Sequence, residues 1–318
     1  MPITPLDPSA DRRHVLDPSR TDDREGVVWV VPLPEHELAL VAYSWVTNQG
    51  TAGTLALAFG PRAGGILFER VDDIAVPDDQ VFDDWQVGPL HFSMSTPDDP
   101  SQPSGASHVR YEGERLSMDF TFDVLHPPYS YAQHPEPFPD WYADDRLEQG
   151  GRAKGTAVID GERIAFEGFA HRDHSWGVRT WEKCSHYKWF NFLADDTSIH
   201  VMDVQGLGHT DVRGYVHRDG DTAQIVESTF DYDLDPEDFF HRRLVVTVKD
   251  DSGRTTTARV TSSKAEARYP VSPTVQLLDI AGECEIEGRE GVCYVEMGWG
   301  QQYVEVNSSA DAPAVGAH

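Results

Sequence analysis

The stretch AKGTAVIDGERIAFEGFAH, residues 153–171, consists of two strand-like runs on either side of Asp160-Gly161. Asp-Gly in this position is a strong local hairpin signal, because the tight turns that match the twist of paired strands need left-handed backbone. Upstream, RLSMDFTFDVL (115–125) sets Leu116, Met118, Phe120, Phe122 and Val124 against Ser117, Asp119, Thr121 and Asp123. That two-residue period belongs to a strand with one buried face. Runs of the same texture occur earlier, in VVWVVPL (27–33), LALVAYSWVT (38–47) and TLALAFG (54–60). They recur later in HYKWFNFLA (186–194), SIHVMDVQG (198–206) and GVCYVEMGW (291–299). Short strands separated by Gly, Asp and Asn turns predict sandwiches or barrels. Only brief segments, such as 236–241, read as helical.

The expected fold is therefore all-β, with two barrel- or sandwich-like domains in tandem and little helix. Residues 1–25 are polar and rich in Asp, Arg and Pro, and read as a flexible arm. A first β domain is expected over 26–125, a proline- and aromatic-rich linker over 126–151, and a second β domain over 152–306. The motif discussed below falls in that second domain. Residues 307–318 read as a flexible tail.

Composition narrows the function classes. A hydrophobic share of 39% suffices for a core, and a formal charge of -28 argues against nucleic acid or an anionic membrane as partner. Cys184, Cys284 and Cys293 lack CxxC spacing, so neither a disulfide framework nor a zinc knuckle is expected. Neither a secretion signal nor a long apolar run is present, so a cytoplasmic location without a membrane span is expected. The sequence carries no signal of oligomeric state.

The chemistry concentrates in GFAHRDHSWGVRTW (168–181). Here Asp173 can orient the imidazole of His174 at a strand end, Trp176 offers a π face, and Arg172 or Arg179 can neutralise Asp173. A polar corner of a β protein would have the same composition, so two readings stand. In SIHVMDV, Ile199, Val201 and Asp203 share one face by alternation. A carboxyl buried there would hold a proton near neutrality, as general-acid chemistry requires. The same alternation also permits Met202 and Val204 to face the core while Asp203 meets solvent. His171, His174, His186, His200 and His209 raise the question of a metal. Strand residues three apart point to opposite faces, so no metal is expected. GLGH and GPRAGG are turns rather than phosphate loops, and no cofactor is expected.

The segment EQGGRAKGTAVIDGERIAFEGFAHRDHSWGVRTW (148–181) resembles that of a group of uncharacterised bacterial proteins with an Arg-Asp-His-Ser-Trp-Gly motif. More distantly it resembles the carotenoid 1,2-hydratase and AttH-like superfamily, whose core Asp-His-x-Trp-Gly is matched by Asp173, His174, Trp176 and Gly177. The resemblance implies two lipocalin-like domains and cofactor-independent acid chemistry on a hydrophobic terpenoid, steroid or polyketide. Asp203 would be the acid, Trp176 would stabilise a cation, and His174 with Asp173 would accept a proton or activate water. Where the hydratases carry tyrosine before the acid, this chain has Val201, and Tyr187 is the substitute. Tyr187, Trp189, Val201 and the loop residue Trp141 are the expected substrate contacts. The outcome would be hydration, dehydration, isomerisation or cyclisation. A non-catalytic carrier or sensor of an apolar ligand is the alternative.

Overall fold

A computed structural model describes residues 3, 6–99 and 102–307, so the expected tail at 308–318 lies outside the described residues. The chain divides into two compact units, one built on Ile3–Arg179 and one on Thr180 onward. The first contains β1 (Asp23–Leu33), β2 (Leu38–Thr47), β3 (Thr51–Gly60), β4 (Gly65–Ala75), β5 (Trp85–Val87) and β6 (Leu90–Met94). It continues with β7 (Ser107–Glu112), β8 (Leu116–Val124), β9 (Tyr129–Ser130), β10 (Asp145–Ile159) and β11 (Glu162–Val178). The second contains β12 (Cys184–Ala194), β13 (Thr197–Gly206), β14 (His209–Arg218) and β15 (Asp221–Leu234). It ends with β16 (His241–Asp250), β17 (Thr255–Pro270), β18 (Val275–Ile286), β19 (Arg289–Gly300) and the helix α1 (Gln301–Asn307). The protein is thus all-β, with two tandem lipocalin-like β domains.

In the first unit the strands form one antiparallel sheet in the order β4-β3-β2-β1-β11-β10-β8-β7-β6-β5, with β9 alongside β10. The period-two pattern of β8 is realised: Leu116, Met118, Phe120 and Phe122 are buried, while Asp119, Thr121 and Asp123 are exposed. Burial of each such side chain contributes roughly 1.5–3 kcal/mol. The β10–β11 hairpin turns at Asp160-Gly161, where φ is 49° and 84°, and pairs Ile159 with Glu162. In the second unit β12 to β19 form a closed barrel, each strand antiparallel to the next and β19 returning to β12.

The domain boundaries differ from expectation. β11 pairs with β1 from Asp23↔Val178 to Val30↔His171, so the motif strand belongs to the first unit, and the division falls at Arg179/Thr180. Residues 126–151 are no linker, because β9 and the start of β10 lie within them. The described part of the expected N-terminal arm is anchored as well: Pro8–Asp11 is a short 3-10 helix and Asp11 is buried. Strand pairing is non-local, and both units have the same local texture, so sequence pattern does not show which strands join. Residues 236–238 form a turn rather than a helix.

Candidate active site

The motif does not sit at a strand end. β11 runs on to Val178, so alternation sends Arg172, His174 and Trp176 to one face and His171 and Asp173 to the other. Gly177 closes the motif at φ 110°, and a Cβ there would lie 2.4 Å from the Asp144 backbone nitrogen.

On the first face, Arg172 donates to Asp11 Oδ1 and Oδ2 at 2.9 and 2.8 Å and to Gln149 Oε1. His174 is 2.9 Å from Asp11 through Nδ1 and 2.8 Å from Glu25 through Nε2, with the ring fully buried. Glu25 also accepts from the His14 backbone N–H and lies 2.7 Å from His14 Nδ1. Burial disfavours a charged ring, but the carboxylates of Asp11 and Glu25 outweigh it and hold the His174 pKa up at about 9. Burial likewise opposes the Asp11 carboxylate, yet Arg172 and His174 hold it well below its usual range. The side chain that orients His174 is therefore not Asp173, and an imidazolium with both nitrogens donating has no lone pair for water or a substrate proton. The ligand atoms of His14, Glu25 and His174 lie close enough together to hold a metal. That would require the protonated His174 to give up a proton from between two carboxylates. Trp176 stacks on His14 at 3.8 Å, and its ring is 5.2 Å from His174, so a cationic ring already stands beside the π face expected to stabilise a substrate cation.

The opposite face carries a different set. Glu148 Oε2 is 2.7 Å from His171 Nε2, and Glu148 Oε1 accepts from Arg146 Nε at 2.5 Å and from Tyr131 at 3.2 Å. Arg146 also reaches Asp173, so neither Arg172 nor Arg179 is its hydrogen-bonded cation. Arg179 instead donates to the Tyr142 carbonyl at 2.6 Å. Burial pushes the Asp173 carboxyl up to about 6 against the pull of Arg146, and burial lowers the His171 pKa despite Glu148. A carboxyl able to hold a proton near neutrality thus shares a face with a neutral imidazole whose Nε2–H is directed to a carboxylate. Trp141, buried and edge-on to Tyr142 at 5.7 Å, belongs to the same unit.

Among the residues of the second unit, Asp203 is buried on the inner face of the barrel with Val201 and Ile199. Its Oδ1 accepts from Lys188 Nζ at 3.2 Å and from Gln205 Nε2 at 3.0 Å. Asp203 is therefore ion-paired and hydrogen-bonded within the barrel rather than alone on an apolar face. Tyr187 and Trp189 point the other way, since Lys188↔Asp203 and Phe190↔Val201 are the inner cross-strand pairs. The expected substrate contacts of this unit are therefore split between the two faces of one barrel wall. On the outer face, Tyr187 donates to Glu296 at 2.5 Å, and Trp189 is edge-on to Tyr294 at 5.9 Å. Tyr294 and Tyr269 donate to Asp279 Oδ2 at 2.7 and 2.8 Å, and burial raises the Asp279 carboxyl to about 6. Sequence reasoning missed Asp279, Glu148 and Asp11. Glu148 was inside the quoted motif segment, whereas the other two had no local signal.

The fold and the buried acid–base clusters define a class, tandem lipocalin-like β proteins with ionisable side chains held away from water. Within it, this chain belongs to the family described as "Domain of unknown function (DUF7064)", which matches residues 7–301. No curated protein matches. An AttH-like protein from Nitrosomonas europaea shares the fold with a TM-score of 0.62 at 14% identity, over 87% of this chain and 92% of that one. Kievitone hydratase from Nectria haematococca aligns at TM-score 0.56 and 14% identity over 94% and 93% of the two chains. CghA with Sch210972 aligns at 0.59 and 11% over 87% and 88%. Among the described residues no helix is long and apolar enough to cross a membrane.

Proposed function

We propose that this chain is a cofactor-independent acid–base enzyme, a hydratase, dehydratase, isomerase or cyclase, acting on a terpenoid, steroid or polyketide-like molecule. The observation that carries the reading is Asp173, a buried carboxyl raised to about 6 beside a neutral His171. Asp173 gives a proton to an alkene or hydroxyl oxygen of the substrate. His171, oriented through Nε2 by Glu148, accepts one from water or carbon through Nδ1. Arg146 and Tyr131 fix Glu148 and leave it acceptor-only, and the motif's other face, with His174, holds the strand in place. The likeness to kievitone hydratase supports the reaction class.

The test is to incubate the purified chain in D2O with a library of terpenoids, steroids and polyketides, following mass changes by mass spectrometry. A protein-dependent gain or loss of water, or incorporated deuterium, is expected. Turnover falls by about 100-fold or more in Asp173→Asn, the usual scale for losing a general acid. A molecule bound but never converted would make the chain a carrier, and unchanged turnover in Asp173→Asn would remove Asp173 from the chemistry.

A further inference from the structure

The closed barrel β12–β19 ends in a polar set that the acid–base reading leaves unused. His186 Nδ1 donates to the Gly298 carbonyl at 2.7 Å, which leaves Nε2 a lone-pair acceptor, buried and without a hydrogen-bond partner. The same ring stacks on Trp299 at 3.7 Å, and Trp299 Nε1, a donor only, also lacks a partner. His241 is 2% exposed and stacks on Phe190 at 6.1 Å, and neither of its ring nitrogens has a partner. Burial holds both imidazoles neutral, His241 down at about 3 and His186 well below its usual value, with Lys188 and His241 adding to the depression of His186. Lys188 Nζ spends one hydrogen bond on Asp203 and sits 4.9 Å from the Phe230 ring centre. Phe239 and Tyr303 flank Trp299 at 5.3 and 5.2 Å.

Buried polar atoms in native cores are paired, because an unmade hydrogen bond forfeits the hydration lost on burial. Here four unpaired nitrogens lie on three side chains in one aromatic-walled end of the barrel. We infer that this end of the barrel binds a small, flat, uncharged molecule carrying both a hydroxyl and a carbonyl oxygen on an apolar or aromatic skeleton. His186 Nε2 accepts from the hydroxyl, and the N–H of the neutral His241 ring donates to the hydroxyl oxygen. Trp299 Nε1–H and Lys188 donate to the two lone pairs of the carbonyl oxygen. Phe190, Phe230 and Phe239 supply the flat apolar walls. Asp203 already balances the charge of Lys188, so a neutral ligand fits. The site stands independently of Asp173.

7-Hydroxycoumarin, a flat molecule with both groups, is the probe, titrated against the full chain by fluorescence and thermal unfolding. Saturable one-site binding that raises Tm is expected, with His241→Phe weakening it by about tenfold or more. Coumarin, which lacks the hydroxyl, is expected to bind the native chain about tenfold more weakly than the probe. Without probe, His241→Phe raises Tm, since it deletes two unpaired buried nitrogens while keeping a ring in place. If that variant fails to fold, Trp299→Phe reads the same loss of affinity. Equal affinity in the native chain and the variants, or no saturable binding up to the solubility limit of the probe, overturns the inference. Turnover is not read, so failure here is distinct from failure of the Asp173 mechanism.

Discussion

Asp11 Oδ1 lies 2.9 Å from His174 Nδ1, although the residues are 163 positions apart in the chain. The contact ties the N-terminal segment to the motif strand, and with Arg172 and Glu25 it forms a chain of alternating charge with no exposed member. Removing one partner of such a buried network leaves a charge without compensation, at a cost of roughly 3–5 kcal/mol. Asp11→Ala is therefore expected to lower the stability of the first unit by that order, read by urea denaturation. A loss below about 1 kcal/mol, the scale of an exposed pair, would contradict the network.

The same pair sets a pH dependence. His174 is raised from 6.5 to about 9 in the folded chain, so its contribution is complete below 6.5 and disappears as pH rises through 9. A shift of this size corresponds to something on the order of 3 kcal/mol. Asp11 and Glu25 are lowered, so their contributions hold above the ordinary carboxylate range and are lost as pH falls below it. Thermal unfolding between pH 6 and about 10 should show Tm falling on the alkaline side. His174→Gln should flatten that limb, and an unchanged slope in the variant would rule out this origin.

Asp173 titrates in the opposite sense for chemistry. Its acid form is present below about 6, so turnover that needs its proton declines as pH rises through that value. Asp173→Glu, which keeps the carboxyl but moves it, should retain the pH limb at reduced rate, and Asp173→Asn should lose it. A pH–rate profile of the native chain that is flat from 5 to about 8 would refute the assignment.

Lys188 and Asp203 make a separable test within the barrel. Asp203→Asn strands a buried ammonium, and burial already depresses the Lys188 pKa, so a loss of roughly 3–5 kcal/mol is expected. The double variant Lys188→Met/Asp203→Leu should recover most of it, because an apolar pair of similar volume replaces the ion pair. Equal instability in the single and double variants would show that packing, rather than charge, is at stake.

Gly177→Ala should destabilise the first unit by roughly 1–3 kcal/mol, since φ 110° is strained for any side chain and the new Cβ meets the Asp144 backbone. Circular dichroism melts would register this as a lowered Tm. A neutral substitution would mean that the motif glycine is not required by the backbone.

What sequence alone determined were the local features. The alternation in β8, the Asp160-Gly161 turn, the scarcity of helix and the two-part β organisation all depend on residues near one another, and each was legible. The strand period also separated His171 from His174. Sequence could not decide which strands pair, because a two-residue period says which side chains share a face but not what that face meets. Tertiary structure placed β11 between β1 and β10, and so moved the motif into the first unit. It gave His174 to Asp11 and Glu25, Asp173 to Arg146, and Asp203 to Lys188. The protonation state of a buried group follows from burial and from partners brought together over long stretches of chain. Sequence could therefore name Asp173 and Asp203 as candidates, while the burial that makes Asp173 our proposed acid, and the partners that surround it, come from the fold.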